Sequence, residues 1–284
     1  MARLSQDHLN WLEGVFGERV TTRAVERKLY SHDVGEMPSM IKPLIGTPMA
    51  DAVVQPASEA ELVALIQWAG QAGIPLVPRG KATSGYGGVL PVKGGIVVDF
   101  FRMDKVIAVD RNALTATLEA GIVWEKADRE LKKHGLTLRT YPSSYPSATA
   151  GGWLAQGGAG FGALEAGWFR ENVLSARVIL GDGSLGLFEG DDLDMIYEAE
   201  GITGFITQLT IKVMPDMPLE IMSLGCAEAH SLQYMLEGFL AANLPIWSCI
   251  SSTHIRQIRK IRRRCKPTRG ILPNIACYCL RPTL

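Results

Sequence analysis

Apolar positions along this chain alternate between helical and strand spacing in a regular order. Near the start, Trp11, Leu12, Val15 and Phe16 fall on one helical face, and Gly17 suits the end of that helix. Pro38, Pro43 and Pro48 then mark an irregular connection. AVVQP, from Ala52, reads as a short strand. Ser58-x-x-Glu61 is a capping box, and the helix it opens puts Leu62, Leu65, Ile66 and Ala69 on one side before Gly70 or Gly73. IPLVP is a second buried strand, followed directly by the loop RGKATSGYGG. Strands are expected at GIVVDF, KVIAVD and LTATLEAG, and a helix over about Val123–Lys133 burying Trp124, Ala127 and Leu131, with Gly135 as its C-cap. VLSARVILGDG and GFITQLTIKVMP are apolar, β-branched strands on either side of an acidic loop at 189–194. After Pro215 the pattern predicts a strand, a helix around Leu232–Leu240 and the start of another strand.

These patterns divide the chain into a helical lead over 1–46, an α+β domain over 47–215, a short α+β start over 216–253, and an atypical tail over 254–284. In the stretch His254–Arg269, 8 of 16 residues are Lys or Arg. No internal repeat is visible.

Composition narrows the functional class only slightly. A chain of 284 residues that is 47% hydrophobic has ample material for a core, and its zero formal charge points to neither nucleic acid nor membrane surface. Five cysteines, all at or beyond Cys226, are too few and too late for a disulfide scaffold. No apolar h-region and no run of 18 apolar residues appear, so the expectation is a cytoplasmic protein without a transmembrane segment. Peripheral attachment to the inner membrane is the alternative location.

The 30 glycines are more telling, because they cluster. Pro78-Arg79-Gly80-Lys81-Ala82-Thr83-Ser84-Gly85 follows a buried strand and combines small residues, two hydroxyls and two cations. Small residues let successive backbone N–H groups turn inward as an anion-binding nest. Thr83 and Ser84 add hydroxyl donors, and Arg79 and Lys81 add positive charge beside a diphosphate. A second region runs through Pro142-Ser143-Ser144, Ala148-Thr149-Ala150-Gly151-Gly152 and Gly157-Gly158-Ala159-Gly160-Phe161-Gly162. So much glycine weakens an ordinary helix or strand, and suits a flat ligand lying against backbone. Glu200-Gly201-Ile202-Thr203-Gly204-Phe205-Ile206 is a third piece, a turn entering a strand.

Taken in order, PRGKATSGYGG, GGIVVDF, EAG, PSS, ATAGG, GFGALEAG, ENV, GDG and EGITGFIT resemble the FAD-binding domain of the vanillyl-alcohol-oxidase (PCMH) type, and are most similar to D-lactate and glycolate dehydrogenases. The resemblance covers residues 47–215. It implies a two-subdomain α+β FAD-binding domain followed by an incomplete α+β substrate domain. It further implies that Arg79, Gly80, Lys81, Ala82, Thr83 and Ser84 hold the FAD pyrophosphate. Pro142, Ser143 and Thr149 would lie near the flavin and ribityl chain. Gly151, Gly152, Gly160 and Gly162 would admit backbone to the cofactor, and Gly204 to Ile206 would flank the adenosine. Lys81 and Ala82 stand where many relatives carry glycine. No histidine occurs in residues 78–90, where relatives with covalent flavin carry the linking residue, so non-covalent FAD is expected. The implied reaction is hydride transfer from a small 2-hydroxy acid to FAD, with electrons passing to a quinone, cytochrome or iron–sulfur partner. Catalytic residues are not assigned. A flavin-binding subunit needing a partner chain, and an alkylglycerone-phosphate-synthase-like reaction, are the rival readings.

Other signals carry less. Gly158-x-Gly160-x-x-Ala163 matches the Rossmann spacing but lacks the preceding strand. Cys265, Cys277, Cys279 and His254 lack metal-site spacing, so free thiols in a poorly ordered tail are expected, with no metal. The basic run 256–269 reads as a solvated stretch. Trp153, Phe161, Trp168 and Phe169 are core candidates before they are flavin shields, and Glu200 is expected at a strand edge. The abrupt change after 253 reads as a truncation or a shifted reading frame.

Overall fold

The structure is a computed structural model that describes residues 4–35, 40, 43, 46–226, 229–242, 244, 246–252 and 274–280. Three sheets make up the described residues. The first has four strands: β1 (Val20–Thr21), β2 (Ala52–Val54), β3 (Leu76–Arg79) and β4 (Ile96–Asp99), in the order β1-β2-β4-β3. β1 is antiparallel to β2, while β2 and β3 both run parallel to β4. Parallel neighbours need a crossover, and helix α3 (Glu59–Ala72) supplies the one between β2 and β3. Two helices precede it, α1 (Gln6–Phe16) and α2 (Ala24–Leu29).

The crossover helix forms for the reasons legible in its sequence. Ser58 accepts the Glu61 N–H at 3.2 Å, and Gly73 closes the helix in the left-handed conformation, φ 66°. The Glu61 carboxylate departs from a reciprocal box: it accepts from Ala57 N at 2.8 Å and pairs with Arg19 through both oxygens. Leu62, Leu65, Ile66 and Ala69 are buried. Each large side chain of that set contributes about 1.5–3 kcal/mol.

The second sheet is antiparallel. It comprises β5 (Val106–Asp110), β6 (Thr115–Glu119), β8 (Val173–Leu180), β9 (Leu185–Glu189) and β10 (Gly204–Pro215), ordered β5-β6-β10-β8-β9, with β7 (Leu136–Leu138) on the end of β10. Helices α4 (Trp124–Lys132), α5 (Ala150–Gln156), α6 (Ala163–Ala166) and α7 (Phe169–Asn172) lie between these strands in sequence. One continuous core joins both sheets, from Leu12 and Leu62 through Leu118 and Trp124 to Val178 and Ile211. Trp153 and Phe169 stack at 4.0 Å with Trp124 edge-on to both, so these rings pack the core, whereas Trp168 is exposed.

A polar latch also ties the sheets together. β10 is bulged at Thr207, since Ile206 pairs with Val178 but Gln208 pairs with Arg177. The buried Thr207 hydroxyl donates to Glu59 Oε1 at 2.5 Å, and Glu59 takes two hydrogen bonds from the Arg177 guanidinium. Those bonds to Arg177 hold the Glu59 carboxyl below the usual carboxylate range.

The third sheet, β11 (Glu220–Cys226), β12 (Ile246–Ser252) and β13 (Asn274–Leu280), is ordered β11-β13-β12 and accompanied by α8 (Ala229–Ala241). Residues 274–280, expected in a poorly ordered tail, instead pair on both sides as its central strand. His254, Cys265 and the basic run 256–269 lie outside the described residues. Among the described residues no His, Cys, Asp and Glu group suits a metal ion, and no helix is long and apolar enough to cross a membrane.

Candidate functional site

The loop after β3 leaves the carboxyl end of a parallel strand, the position where open α/β sheets place ligands. It faces the start of α5, and the two meet at Gly80 and Thr149. A Cβ built on Gly80 would fall well inside contact distance of Thr149 Oγ1. Thr149 is buried, caps α5 and accepts from Gly152 N at 3.3 Å. The end of β6 suspends the start of α5, because Ala150 N donates to Ile122 O at 2.9 Å and Gly151 N to Ala120 O at 2.8 Å. Gly151 leaves no room for a side chain there, since its Cβ would lie 2.6 Å from that of Ala120.

A cleft of ≈ 600 Å³ opens between these elements, within the roughly 300–1,000 Å³ of small-molecule and cofactor sites. Its walls include Arg79 to Ser84, Pro142, Ser143, Thr149, Gly151, Gly152, Gly204 and Ile206. Gly160 and Gly162 are elsewhere: Gly160 is pressed against the Tyr141 carbonyl and Trp153, and Gly162, at φ 88°, against the Arg139 carbonyl and Trp247. Their lack of a side chain serves protein packing. Asp33, Gly88, Gln156 and Glu200 also line the cleft and were not singled out as site residues from sequence.

The chemical character of the cleft comes from backbone. Among the described residues, the consecutive N–H groups of Lys81, Ala82, Thr83, Ser84 and Gly85 meet no protein acceptor, although they line its wall. Unpaired amides of this kind are costly unless water or a ligand accepts from them, and a run of them forms an anion nest. Ala82 sits at φ 51°, where a side chain costs roughly 1–2 kcal/mol. Glu200 at φ 51° and Glu198 at φ 56° share that strain; Glu200 lines the cleft, while Glu198 packs on Gly157. Such strain gathers at ligand sites. Burial pushes the Glu200 carboxyl up.

The cations expected beside a diphosphate have protein partners, although both residues line the cleft. Arg79 Nη1 donates to Tyr30 O at 3.2 Å and His32 O at 2.8 Å, and its guanidinium lies 5.2 Å from the centroid of the Tyr30 ring. Lys81 Nζ stands 4.3 Å over the Phe101 ring. Ser84 Oγ accepts from Gln156 Nε2 at 3.1 Å, which links the first loop to the end of α5.

Behind the loop, Tyr30 donates its hydroxyl to the buried Asp99 at 2.9 Å, and burial, with Asp99 second, pushes the phenol up to about 12. The folded value exceeds the ordinary value of about 10, so the fold favours the protonated phenol. Its stabilisation is complete below about pH 10 and is lost as pH rises through about 12. Denaturant titrations across that window are expected to show an alkaline fall in stability that Tyr30→Phe flattens.

Fold and cleft together define a two-lobed α+β domain whose cleft is lined by main-chain amides with no acceptor among the described residues. Residues 50–186 match the family of the FAD binding domain. Glycolate oxidase subunit GlcD of Bacillus subtilis is 30% identical over 176 residues, covering 59% of this chain and 37% of that protein. D-lactate dehydrogenase of Archaeoglobus fulgidus is 31% identical over 186 residues, covering 62% and 42%. Alkyldihydroxyacetonephosphate synthase of Dictyostelium discoideum is 31% identical over 173 residues, covering 57% and 28%. A solved structure of an alkyldihydroxyacetonephosphate synthase superposes with a TM-score of 0.82 at 20% identity, covering 98% of this chain and 58% of that one. Residues 50–186 therefore form a PCMH-type FAD binding domain, and FAD is its cofactor. The chain spans between 28% and 42% of the length of these three curated relatives.

Proposed function

We propose that this chain is the flavin-holding part of an oxidoreductase that oxidises a small 2-hydroxy acid of the D-lactate or glycolate type, with FAD bound non-covalently. The observation that carries the reading is the run of five amides, Lys81 to Gly85, with no acceptor among the described residues, in one cleft with Thr149. The residues lining that cleft suit the cofactor: the amides can donate to a diphosphate, Gly80 and Gly152 let both loops close on Thr149 with no side chain between, and Gly204 and Ile206 also line the cleft. Bound there, the flavin supplies the acceptor for the hydride leaving the α-carbon.

In this reading the loop Arg79–Ser84 binds and orients the diphosphate. Pro142, Ser143 and Thr149 set the ribityl and flavin end, and Gly151 and Gly152 keep the start of α5 close to the cofactor. The substrate class rests on the glycolate oxidase subunit and the D-lactate dehydrogenase among the relatives. Electrons would leave to a quinone, a cytochrome or an iron–sulfur protein. A second reading, an alkyldihydroxyacetonephosphate-synthase-like reaction, is supported by the Dictyostelium relative.

Anaerobic addition of D-lactate or glycolate to the yellow purified chain separates the readings. Bleaching of the visible flavin band supports the proposal. No bleaching with formation of alkyldihydroxyacetone phosphate supports the synthase reading, and neither result leaves a flavin-holding subunit that needs a partner chain. Heat is expected to release the pigment into solution; colour retained on the denatured polypeptide would contradict non-covalent binding.

A further inference from the structure

The segment ahead of the matched domain is fastened to the glycine-rich loop by four hydrogen bonds. Val34 N donates to Ser84 O at 3.3 Å, and Asp33 Oδ2 accepts from Gly87 N at 2.9 Å. The other Asp33 oxygen accepts from Gly35 N at 2.9 Å, which bends the segment back on itself. From the opposite side, Arg79 donates to the carbonyls of Tyr30 and His32, and the Tyr30 hydroxyl reaches Asp99 at the end of β4. Gly35 and Gly85 pass back to back, for a Cβ on Gly35 would lie 2.5 Å from Gly85 O and 2.8 Å from its Cα. Asp33 itself lines the cleft.

We propose that residues 30–35 are a strap that holds the glycine-rich loop in its amide-presenting shape, and that Asp33 is a positioning residue for the cofactor's diphosphate. The proposal rests on the reading that Lys81–Gly85 receive that diphosphate. The division of amides supports it: Asp33 takes Gly87 N and Ser84 Oγ takes Tyr86 N, which leaves Lys81 to Gly85 with no acceptor among the described residues. The strap also engages one of the loop's two cations. Arg79 commits Nη1 to the carbonyls of residues 30 and 32, and in this proposal affinity for the anion comes from ordered amides, which a loose loop would not present. A carboxylate on the wall of an anion site is otherwise a liability through like-charge repulsion. Its two accepted hydrogen bonds give it a reason to be there.

The test uses the full chain and three probes: FAD, ADP (a diphosphate without flavin) and riboflavin (a flavin without diphosphate). Asp33→Ala is expected to weaken FAD and ADP alike by about 10- to 100-fold, the size of a hydrogen bond to a charged acceptor, with riboflavin unchanged. Asp33→Asn, which keeps an acceptor oxygen, is expected to recover part of the loss. Coupling is reciprocal, so ADP bound to the unmutated chain is expected to slow amide hydrogen exchange at residues 30–35, a readout that needs no variant to fold. Asp33→Ala binding FAD within about twofold of the parent, or more tightly as simple relief of repulsion requires, would overturn the strap. So would unchanged exchange at 30–35. A parent chain that binds neither FAD nor ADP would instead overturn the reading of the cleft.

Discussion

Gly80→Ala is expected to weaken FAD binding by about 10- to 100-fold, since overpacking a closed contact costs roughly 1–3 kcal/mol. The added methyl would land on Thr149 Oγ1 and come within 3.4 Å of both Thr149 Cβ and Cγ2. Neither side yields easily. Gly80 follows β3 directly, and Thr149 is buried with its hydroxyl committed to the start of α5. The clash therefore drives the two loops apart, widening the cleft where the cofactor bridges them. Thr149→Ala alone is expected to cost about 1 kcal/mol of stability, the size of its cap. Combined, the two substitutions are expected to restore part of the lost affinity, because the obstructing hydroxyl is gone. Fluorescence titration of FAD on the four proteins of this cycle measures the coupling directly. Additive losses would mean that Gly80 and Thr149 do not face each other.

The second large effect is expected at the junction with the C-terminal sheet. Trp247 in β12 is 1% exposed, and its indole N–H donates to Arg139 O at 2.9 Å. Its ring lies 5.5 Å from Tyr141, which in turn contacts Tyr145 at 4.8 Å and Phe161 at 5.3 Å. Trp247→Ala removes the largest buried side chain of that sheet and is expected to cost about 3–5 kcal/mol. Denaturant unfolding is then expected to split, the C-terminal sheet melting before the FAD-binding part. Trp247→Phe keeps most of the packing but not the hydrogen bond, and should cost about 1 kcal/mol for that bond. A single unshifted transition in Trp247→Ala would show that the sheet is held some other way. FAD affinity should suffer less than in Gly80→Ala, because Trp247 reaches the cleft only through the backbone of residues 139–142.

Local pattern carried most of the fold. The strands around AVVQP, IPLVP, GIVVDF and GFITQLTIKVMP, and the helix opened by Ser58, are all present, since burial periodicity and capping are properties of a few neighbouring residues. The glycine-rich loop after β3 was equally legible, because only small residues tolerate a turn with so many inward amides. What sequence could not convey was direction. Gly160 and Gly162 look like Gly151 and Gly152 in a string of letters, yet Tyr141 and Trp247 crowd the former pair while the latter pair borders the cleft. Arg79 and Lys81 were expected to face an anion, but partners distant in sequence, Tyr30 with His32 and Phe101, draw them off. Asp33 escaped notice for the same reason: its partner Gly87 is 54 residues away. The strand at 274–280 depends wholly on pairing with β11 and β12, and its own cysteine-containing sequence gives little hint of it.

The most direct measurement is a crystal structure of this chain grown with FAD. Diphosphate oxygens are expected at about 3 Å from the main-chain nitrogens of Lys81 through Gly85, with the ribityl chain passing Thr149. FAD seated away from that loop, or held there by the Arg79 and Lys81 side chains while the five amides point elsewhere, would contradict that expectation.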